Sequence, residues 1–393
     1  MKIHLFARSH NLLVISIIAL LLAACALPIS YPFKTSPTPT ADLLTGSAAT
    51  TESPSAASPN PTLDPAEPKI ERLQIFFTDP TAPHARDYRG GPDALLAGEI
   101  DKAHLSVDVA AYSLNLWSIR DALIHAYQRG VVVRMVMESD NMGNQEVQQI
   151  QDAGIPIVDD QHEGLMHNKF VIIDRMVVWT GSMNFTVGGT YKDNNNLVRL
   201  QSDKIAEDYT NEFNEMFIHH LFGPDTYVNT PYPNINLDGT LIEVYFSPDD
   251  QVEARIEALI QNAKTSINFM AYAFTSNTIG NAIVQKAQEG VSVAGVMDGG
   301  QVATGQGSEY DPFMQAGLDV RLDGNQAGLM HHKVIIIDQA IVITGSYNFT
   351  ASASDTNDEN VVIIYNSVIA RKYMEEFQRV YEQAPEPEMV PTP

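Results

Sequence analysis

The chain has 393 residues, 44% of them apolar and 18% charged, a globular balance long enough for two domains that each bury a core. Against 24 Lys and Arg stand 48 Asp and Glu, and the net charge of −24 repels polyanions at long range, leaving no footprint for non-specific nucleic-acid binding outside a local basic cleft. A single cysteine excludes an intramolecular disulfide, so the fold rests on its core.

Lys2, His4 and Arg8 precede the apolar run from Leu12 to Ala24, which falls short of the roughly 20 residues needed to span a bilayer. The pattern predicts an export signal over residues 1–24. Leu22-Ala23-Ala24-Cys25 resembles a bacterial lipobox, which implies that Cys25 becomes the lipidated first residue of an exported protein. Its acyl chains would hold the protein at the outer face of the cell membrane. Removal of Lys2 and Arg8 with the leader leaves 22 − 48 = −26. Residues 25–69 are rich in Pro, Ser, Thr and Ala, a composition that cannot bury enough apolar surface to order itself and that predicts an extended tether of about 3 Å per residue.

Two halves with parallel grammar follow. The expected domains cover 70–228 and 241–382, with a Pro- and Asn-rich connector over 229–240 and an unstructured tail over 383–393. Each half opens with a short apolar strand and turn, LQIFFTDP (Leu73 to Pro80) or LIEVYFSPDD (Leu241 to Asp250). A helix, a strand (Leu105 to Leu114 or Thr265 to Thr275) and a second helix come next. That helix ends in Arg129-Gly130 or Glu289-Gly290, where glycine suits a left-handed cap. After the strands VVVRMVM and VSVAGVM come further helix and strand, and the halves close on the amphipathic helices DYTNEFNEMF and ARKYMEEFQRV. Alternating strands and helices predict an α/β fold: two similar α/β/α domains, each a central mixed sheet flanked by helices, related by a pseudo-twofold axis.

Before the closing helices stand GLMHNKFVIIDRMVVWTGSMNFT (Gly164 to Thr186) and GLMHHKVIIIDQAIVITGSYNFT (Gly328 to Thr350). Both fit H-x-K-x4-D-x6-G-S-x-N. The members are His167, Lys169, Asp174, Gly181, Ser182 and Asn184, then His331, Lys333, Asp338, Gly345, Ser346 and Asn348, all offset by 331 − 167 = 164. A lone H-x-K is weak evidence, whereas six fixed positions kept twice are specific. In an extended strand the His and Lys, two residues apart, share a face at the entrance of a buried apolar run. Two Lys ammoniums suit the non-bridging oxygens of a phosphodiester, and the Ser and Asn side chains are candidate further donors to them. In-line displacement needs a nucleophile and a proton donor on opposite sides of phosphorus, and two imidazoles supply that pair. The duplication therefore predicts one site, not two.

The repeated phrase resembles the H-K-D signature of the phospholipase D superfamily, and the resemblance covers nearly all of residues 70–382. It implies hydrolysis or transfer of phosphodiesters through a covalent phosphohistidine with no metal or other cofactor. It also assigns site roles to Asp174 and Asp338, whose strand-to-turn positions equally suit a structural role.

Glu359 resembles the carboxylate that orients the histidine in this family, whereas the place 164 residues earlier holds Asn195. Taken half by half, the carboxylate belongs to His331 and the amide to His167. A carboxylate raises the pKa of its imidazole more than an amide does, so this pairing makes His167 the nucleophile and His331 the acid, later the base for water.

Lipid attachment and an acidic body favour phospholipid head groups as substrate. The alternatives are a surface-anchored endonuclease, for which no basic, aromatic-interleaved stretch stands out, a phosphatidyltransferase akin to cardiolipin synthase, or a non-catalytic phosphate-binding protein. Both motifs in one chain make a partner subunit unnecessary, so a monomer is expected.

Overall fold

Apolar, β-branched runs such as FVII and VIII lie in the centre of two sheets because both of their faces are covered. The computed structural model describes residues 71–386, all within one unit spanning Glu67–Pro393. The leader, Cys25, the tether and residues 387–393 of the tail lie outside the described residues. Among the described residues no helix is long and apolar enough to cross a membrane.

The first half supplies β1 (Leu73–Phe77), β2 (Ser106–Ala111), β3 (Val132–Met137), β4 (Ile157–Asp159), β5 (Lys169–Ile173), β6 (Val177–Gly181) and β7 (Asn196–Gln201), in the order β1-β7-β6-β5-β2-β3-β4. The second supplies β8 (Asn234–Leu237), β9 (Thr240–Ser247), β10 (Ser266–Ala271), β11 (Ser292–Met297), β12 (Asp319–Leu322), β13 (Lys333–Ile337), β14 (Ile341–Gly345) and β15 (Glu359–Tyr365), in the order β12-β11-β10-β13-β14-β15-β9-β8. Both sheets are mixed. β2 runs parallel to β3 and antiparallel to β5, and β10 relates to β11 and β13 in the same way.

Side-chain alternation divides the core. Val107, Val109, Val171 and Ile173 pack outward against Leu96, Ile119 and Leu123 of the helices Pro92–Ile100 and Trp117–Gln128. Ile267, Phe269, Ile335 and Ile337 do the same in the second half against the helices Val252–Gln261 and Asn277–Gln288. The opposite faces of both sheets share one buried cluster. Ala110, Phe170 and Ile172 meet Met270, Val334 and Ile336 there, with Tyr209, Phe213, Tyr373 and Phe377 from the long helices Asp203–His219 and Ser367–Gln383. The two halves are therefore joined by a common core. The expected glycine caps follow the helices, with Gly130 at φ 91° and Gly290 at φ 94°.

Two features depart from the expected organisation. The connector placed over 229–240 contains β8, which pairs antiparallel with β9. Ile235 and Leu237 are buried with a period of two, and Asp238-Gly239 turns the hairpin with φ 51° and 88°, the left-handed pair that a two-residue turn requires. The closing helix of the second half also continues to Gln383, into the expected tail. A further difference separates the repeats. Thr78–Gly91 connects β1 to its following helix, whereas only Pro248–Gln251 connects β9 to its own.

Candidate active site

β5 and β13 begin at Lys169 and Lys333, so each repeated His-x-Lys lies at the mouth of a central strand, as the apolar runs implied. Lys169 Nζ donates to the carbonyl of His167 at 2.6 Å, and Lys333 Nζ to that of His331 at 2.9 Å. Tyr112 and Tyr272 line the two mouths. Their ring centroids lie 5.0 and 4.7 Å from the respective ammoniums, and 4.9 and 4.6 Å from the imidazoles of His167 and His331. His167 and His331 are 6% and 4% exposed and both lysines 1%, so all four sit in a nearly dry environment.

Each histidine is held by the other half. The loop before β5 pairs with residues before β15: His167 N–H donates to Asp358 O at 3.0 Å and Asp358 N–H to Leu165 O at 2.9 Å. The pseudo-symmetric exchange has His331 N–H donating to Asn194 O at 2.9 Å and Asn194 N–H to Leu329 O at 2.8 Å. This pairing brings Glu359 beside His167, whose Nδ1 lies 2.8 Å from the carboxylate, and Asn195 beside His331, whose Nδ1 lies 2.9 Å from the amide oxygen. The half-by-half assignment of partners is thereby corrected. Glu359 serves His167 and Asn195 serves His331, because the motif loops cross the boundary instead of folding back on their own sheets. With Nδ1–H donating, each ring keeps a lone pair on Nε2.

Ser182 and Ser346, expected to donate to phosphate, are used elsewhere. Ser346 Oγ donates to Glu359 at 2.6 Å and Ser182 Oγ to Asn195 Oδ1 at 2.8 Å, fixing the groups that fix the histidines. Asn195 is further tied by its Nδ2 to Gly189 O at 2.8 Å. Asn184 and Asn348 are not consumed in this way: their amide oxygens are buried without a partner among the described residues, and the Nδ2 groups are the atoms able to donate to an anion. They remain candidates for oxyanion contact. Behind the histidines, Asn360 Nδ2 donates to Asn168 Oδ1 at 2.7 Å, and Asn196 Nδ2 approaches His332 Nδ1 at 3.3 Å, locking the halves a second time.

The electrostatics follow from burial. Desolvation is the largest influence on His167 and brings it down to about 4; Glu359 opposes the fall, and Lys169 and Lys333 deepen it. His331 is pushed well below its ordinary value by burial, then by the charges of Lys333, Lys169 and His167. Lys169 is lowered to about 7 by burial against Glu359 and Glu138, and Lys333 falls well below its ordinary range through burial and Lys169. An anion placed among them would reverse these shifts.

Some residues of the site were not singled out from sequence. Glu138 and Asp298, just after β3 and β11, accept the N–H groups of Met166 and Met330 at 2.9 and 3.1 Å and so steer the loops that carry the histidines. Tyr112 and Tyr272 had a visible signal, since AAYSL and MAYAF occupy matching places. Their offset is 272 − 112 = 160 rather than 164, which hides the match from a fixed-offset comparison.

Asp174 and Asp338 are corrected as catalytic candidates. They sit at the far ends of β5 and β13, roughly 17 Å of strand from the lysines, in the left-handed turn φ 52° and 53°. The Asp338 carboxylate accepts the N–H groups of Lys264, Thr265 and Ser266 at 2.9, 2.7 and 3.0 Å, and Asp174 receives those of His104, Leu105 and Ser106. Both aspartates cap the entry to the neighbouring strand. Asp338→Ala is expected to cost about 2 kcal/mol in urea unfolding by releasing three backbone donors, with Asp338→Asn costing less; a loss under about 0.5 kcal/mol would contradict the capping role.

Residues 96–217 and 256–381 match the family described as cardiolipin synthase, PLD-like domain. Over 130 residues the chain is 37% identical to the mitochondrial cardiolipin hydrolase of Homo sapiens, covering 33% of this chain and 51% of that protein. Over 144 residues it is 33% identical to the phospholipase D of Rickettsia prowazekii (strain Madrid E), covering 37% of this chain and 69% of that one. The chain spans about half to two thirds of the length of the cardiolipin hydrolases it matches. Among solved structures, the phosphatidylserine synthase of Haemophilus influenzae Rd KW20 shares the fold, with a TM-score of 0.58 over 80% of this chain and 87% of that one at 14% identity. Matches over both halves, two mixed sheets and a duplicated H-x-K-x4-D motif agree, and the chain belongs to the phospholipase D superfamily.

Proposed function

We propose that the chain is a metal-independent phosphodiesterase of phospholipase D type that hydrolyses phospholipid head groups through a covalent phosphohistidine. The observation that supports this reading is the crossed hydrogen bonding of the two imidazoles, which ties each ring through Nδ1 to the opposite half and leaves its Nε2 free of those bonds, beside two buried ammoniums. His167 Nε2 attacks phosphorus; the P–N bond forms as the bond to the head-group oxygen breaks. His331, protonated beside the bound anion, gives its Nε2 proton to the leaving oxygen. Water then attacks, His331 takes its proton, and the P–N bond breaks to release phosphatidic acid and free His167. Lys169, Lys333, Asn184 and Asn348 are the groups assigned to the non-bridging oxygens.

The nucleophile assignment keeps His167 but changes its ground. Phosphorylation leaves a positive imidazole, and the Glu359 carboxylate at 2.8 Å compensates that charge. His331 must give up a proton in the same step, which a neutral Asn195 favours over a carboxylate. The phospholipid preference draws on the similarity to proteins named cardiolipin hydrolase and phospholipase D, on the acidic body, and on the expected lipidation of Cys25.

The test offers the purified chain phosphatidylcholine, cardiolipin, single-stranded DNA and a chromogenic bis-aryl phosphodiester, all with chelator present. Release of phosphatidic acid without DNA cleavage, with the trapped phosphate on His167, is expected. DNA cleavage without lipid turnover, phosphate on His331, or abolition by chelator would each contradict the reading.

A pH dependence follows from Lys169. With its pKa lowered to about 7, it is charged and able to bind the diester below that pH and loses its proton above it. Thus kcat/KM should fall on the alkaline side from about pH 7, and Lys169→Arg should move that limb upward because a guanidinium stays charged. A limb unmoved by the substitution would assign it to another group.

A further inference from the structure

The first half carries a connection, Thr78–Gly91, much longer than the Pro248–Gln251 of its repeat. In a chain of net charge −24 it contributes His84, Arg86 and Arg89 against Asp79 and Asp87. Arg86, Tyr88 and Arg89 are exposed. The Arg89 guanidinium lies 5.3 Å from the ring centroid of Trp117, and Lys192 Nζ 5.9 Å from that of Tyr88. Trp117 and Tyr88 are 38% and 40% exposed, more than their apolar area would favour in water.

This patch borders the catalytic cleft. Asn195, which holds His331, donates its N–H to Thr78 Oγ1 at 2.7 Å. The carbonyl of Lys192 accepts from Asn325 Nδ2 at 2.9 Å, and the neighbouring Asp193 carboxylate accepts the N–H of Leu329 at 2.9 Å. Leu329, two residues before His331, is itself 38% exposed. A groove of about 340 Å³ runs between Pro80 and Thr81 on one side and Asn325, Gln326 and Ala327 on the other.

We propose that Tyr88, Arg89, Trp117, Lys192 and Leu329 form a docking surface for an anionic phospholipid bilayer, seating the cleft against the head-group layer. Aromatic rings with cations over their faces match that layer, where an apolar body and a polar edge are both satisfied. Arg89 and Lys192 can each meet a lipid phosphate, and Asp79, Asp87 and Asp193 leave the patch near neutral, so an anionic surface repels it less than the acidic remainder of the body and the patch orients the molecule. Asp79, Asp87 and Asp193 interrupt the basic residues, so they make no continuous track for a polynucleotide backbone. The choice of a bilayer rests on the phospholipid reading above.

The chain supplies its own reporter. Of its two tryptophans, Trp179 is 2% exposed and stacked on Phe76 at 5.4 Å, leaving Trp117 as the accessible one. The full chain is mixed with phosphatidylglycerol vesicles carrying brominated acyl chains, and tryptophan emission is read. A blue shift with quenching is expected, absent in Trp117→Phe, weaker on phosphatidylcholine vesicles, and cut by at least half in the Arg89→Glu/Lys192→Glu double variant. That variant should turn over the soluble bis-aryl diester unchanged. Absence of quenching, quenching indifferent to the double charge reversal, or an emission change produced by single-stranded oligonucleotide and not by vesicles would overturn the proposal. The two readings separate: turnover of dissolved short-chain phosphatidylcholine without Trp117 quenching defeats only the docking surface, and quenching without lipid turnover supports it while defeating the substrate assignment.

Discussion

Hydrogen bonds exchanged across the boundary between the halves hold His167 and His331 in a space from which water is largely excluded. Everything else in the molecule accommodates that exchange. Each motif loop leaves the mouth of its own strand and pairs with the segment preceding the last strand of the opposite sheet. The shared core beneath, with Tyr209 and Tyr373 reaching Asn360 and Asn196, keeps the two sheets in the register that this pairing needs. Burying imidazoles and ammoniums together costs several kcal/mol per charge unless they are compensated. The structure compensates incompletely, and the lowered pKa values of all four groups record the remainder. An anionic diester is the species whose arrival would complete the balance, so the site is preorganised for it at the expense of the empty state.

Near-symmetry with one broken position gives the site its direction. The two exchanges agree atom for atom along the backbone, and Ser182 and Ser346 hold equivalent partners. At the side chains that hold the two imidazoles through Nδ1, the difference is a carboxylate at Glu359 against an amide at Asn195. A symmetric pair of imidazoles could exchange roles; one carboxylate distinguishes the ring that becomes positive from the ring that becomes neutral. The longer connection Thr78–Gly91 breaks the symmetry again, at the rim on the His331 side.

Much of this was legible in the chain itself. Strand and helix alternation, the glycine caps at Gly130 and Gly290, and the placement of His and Lys at strand mouths follow from local periodicity and a fixed offset, which short-range physics controls. The hairpin over β8 was also written locally, in Asp238-Gly239 between alternating apolar residues, but the surrounding Pro and Asn masked it. What could not be read was which half serves which histidine. His167 and Glu359 are separated by 359 − 167 = 192 positions, and their pairing depends on loops crossing a boundary that only the assembled core defines. The aspartates misled for a related reason. Their fixed spacing from the histidines marks a strand of constant length, and a turn at its far end is inherited with equal fidelity. The aromatic rim escaped notice because Arg89, Trp117 and Lys192 converge only in space.

The most direct measurement is a crystal structure of the protein with vanadate, which mimics a phosphorus centre under in-line attack. The account predicts a single vanadium with Nε2 of His167 and Nε2 of His331 on opposite sides and the ammoniums of Lys169 and Lys333 on its equatorial oxygens. Two vanadate ions, one held within each half, or a single ion bound away from both imidazoles, would contradict it.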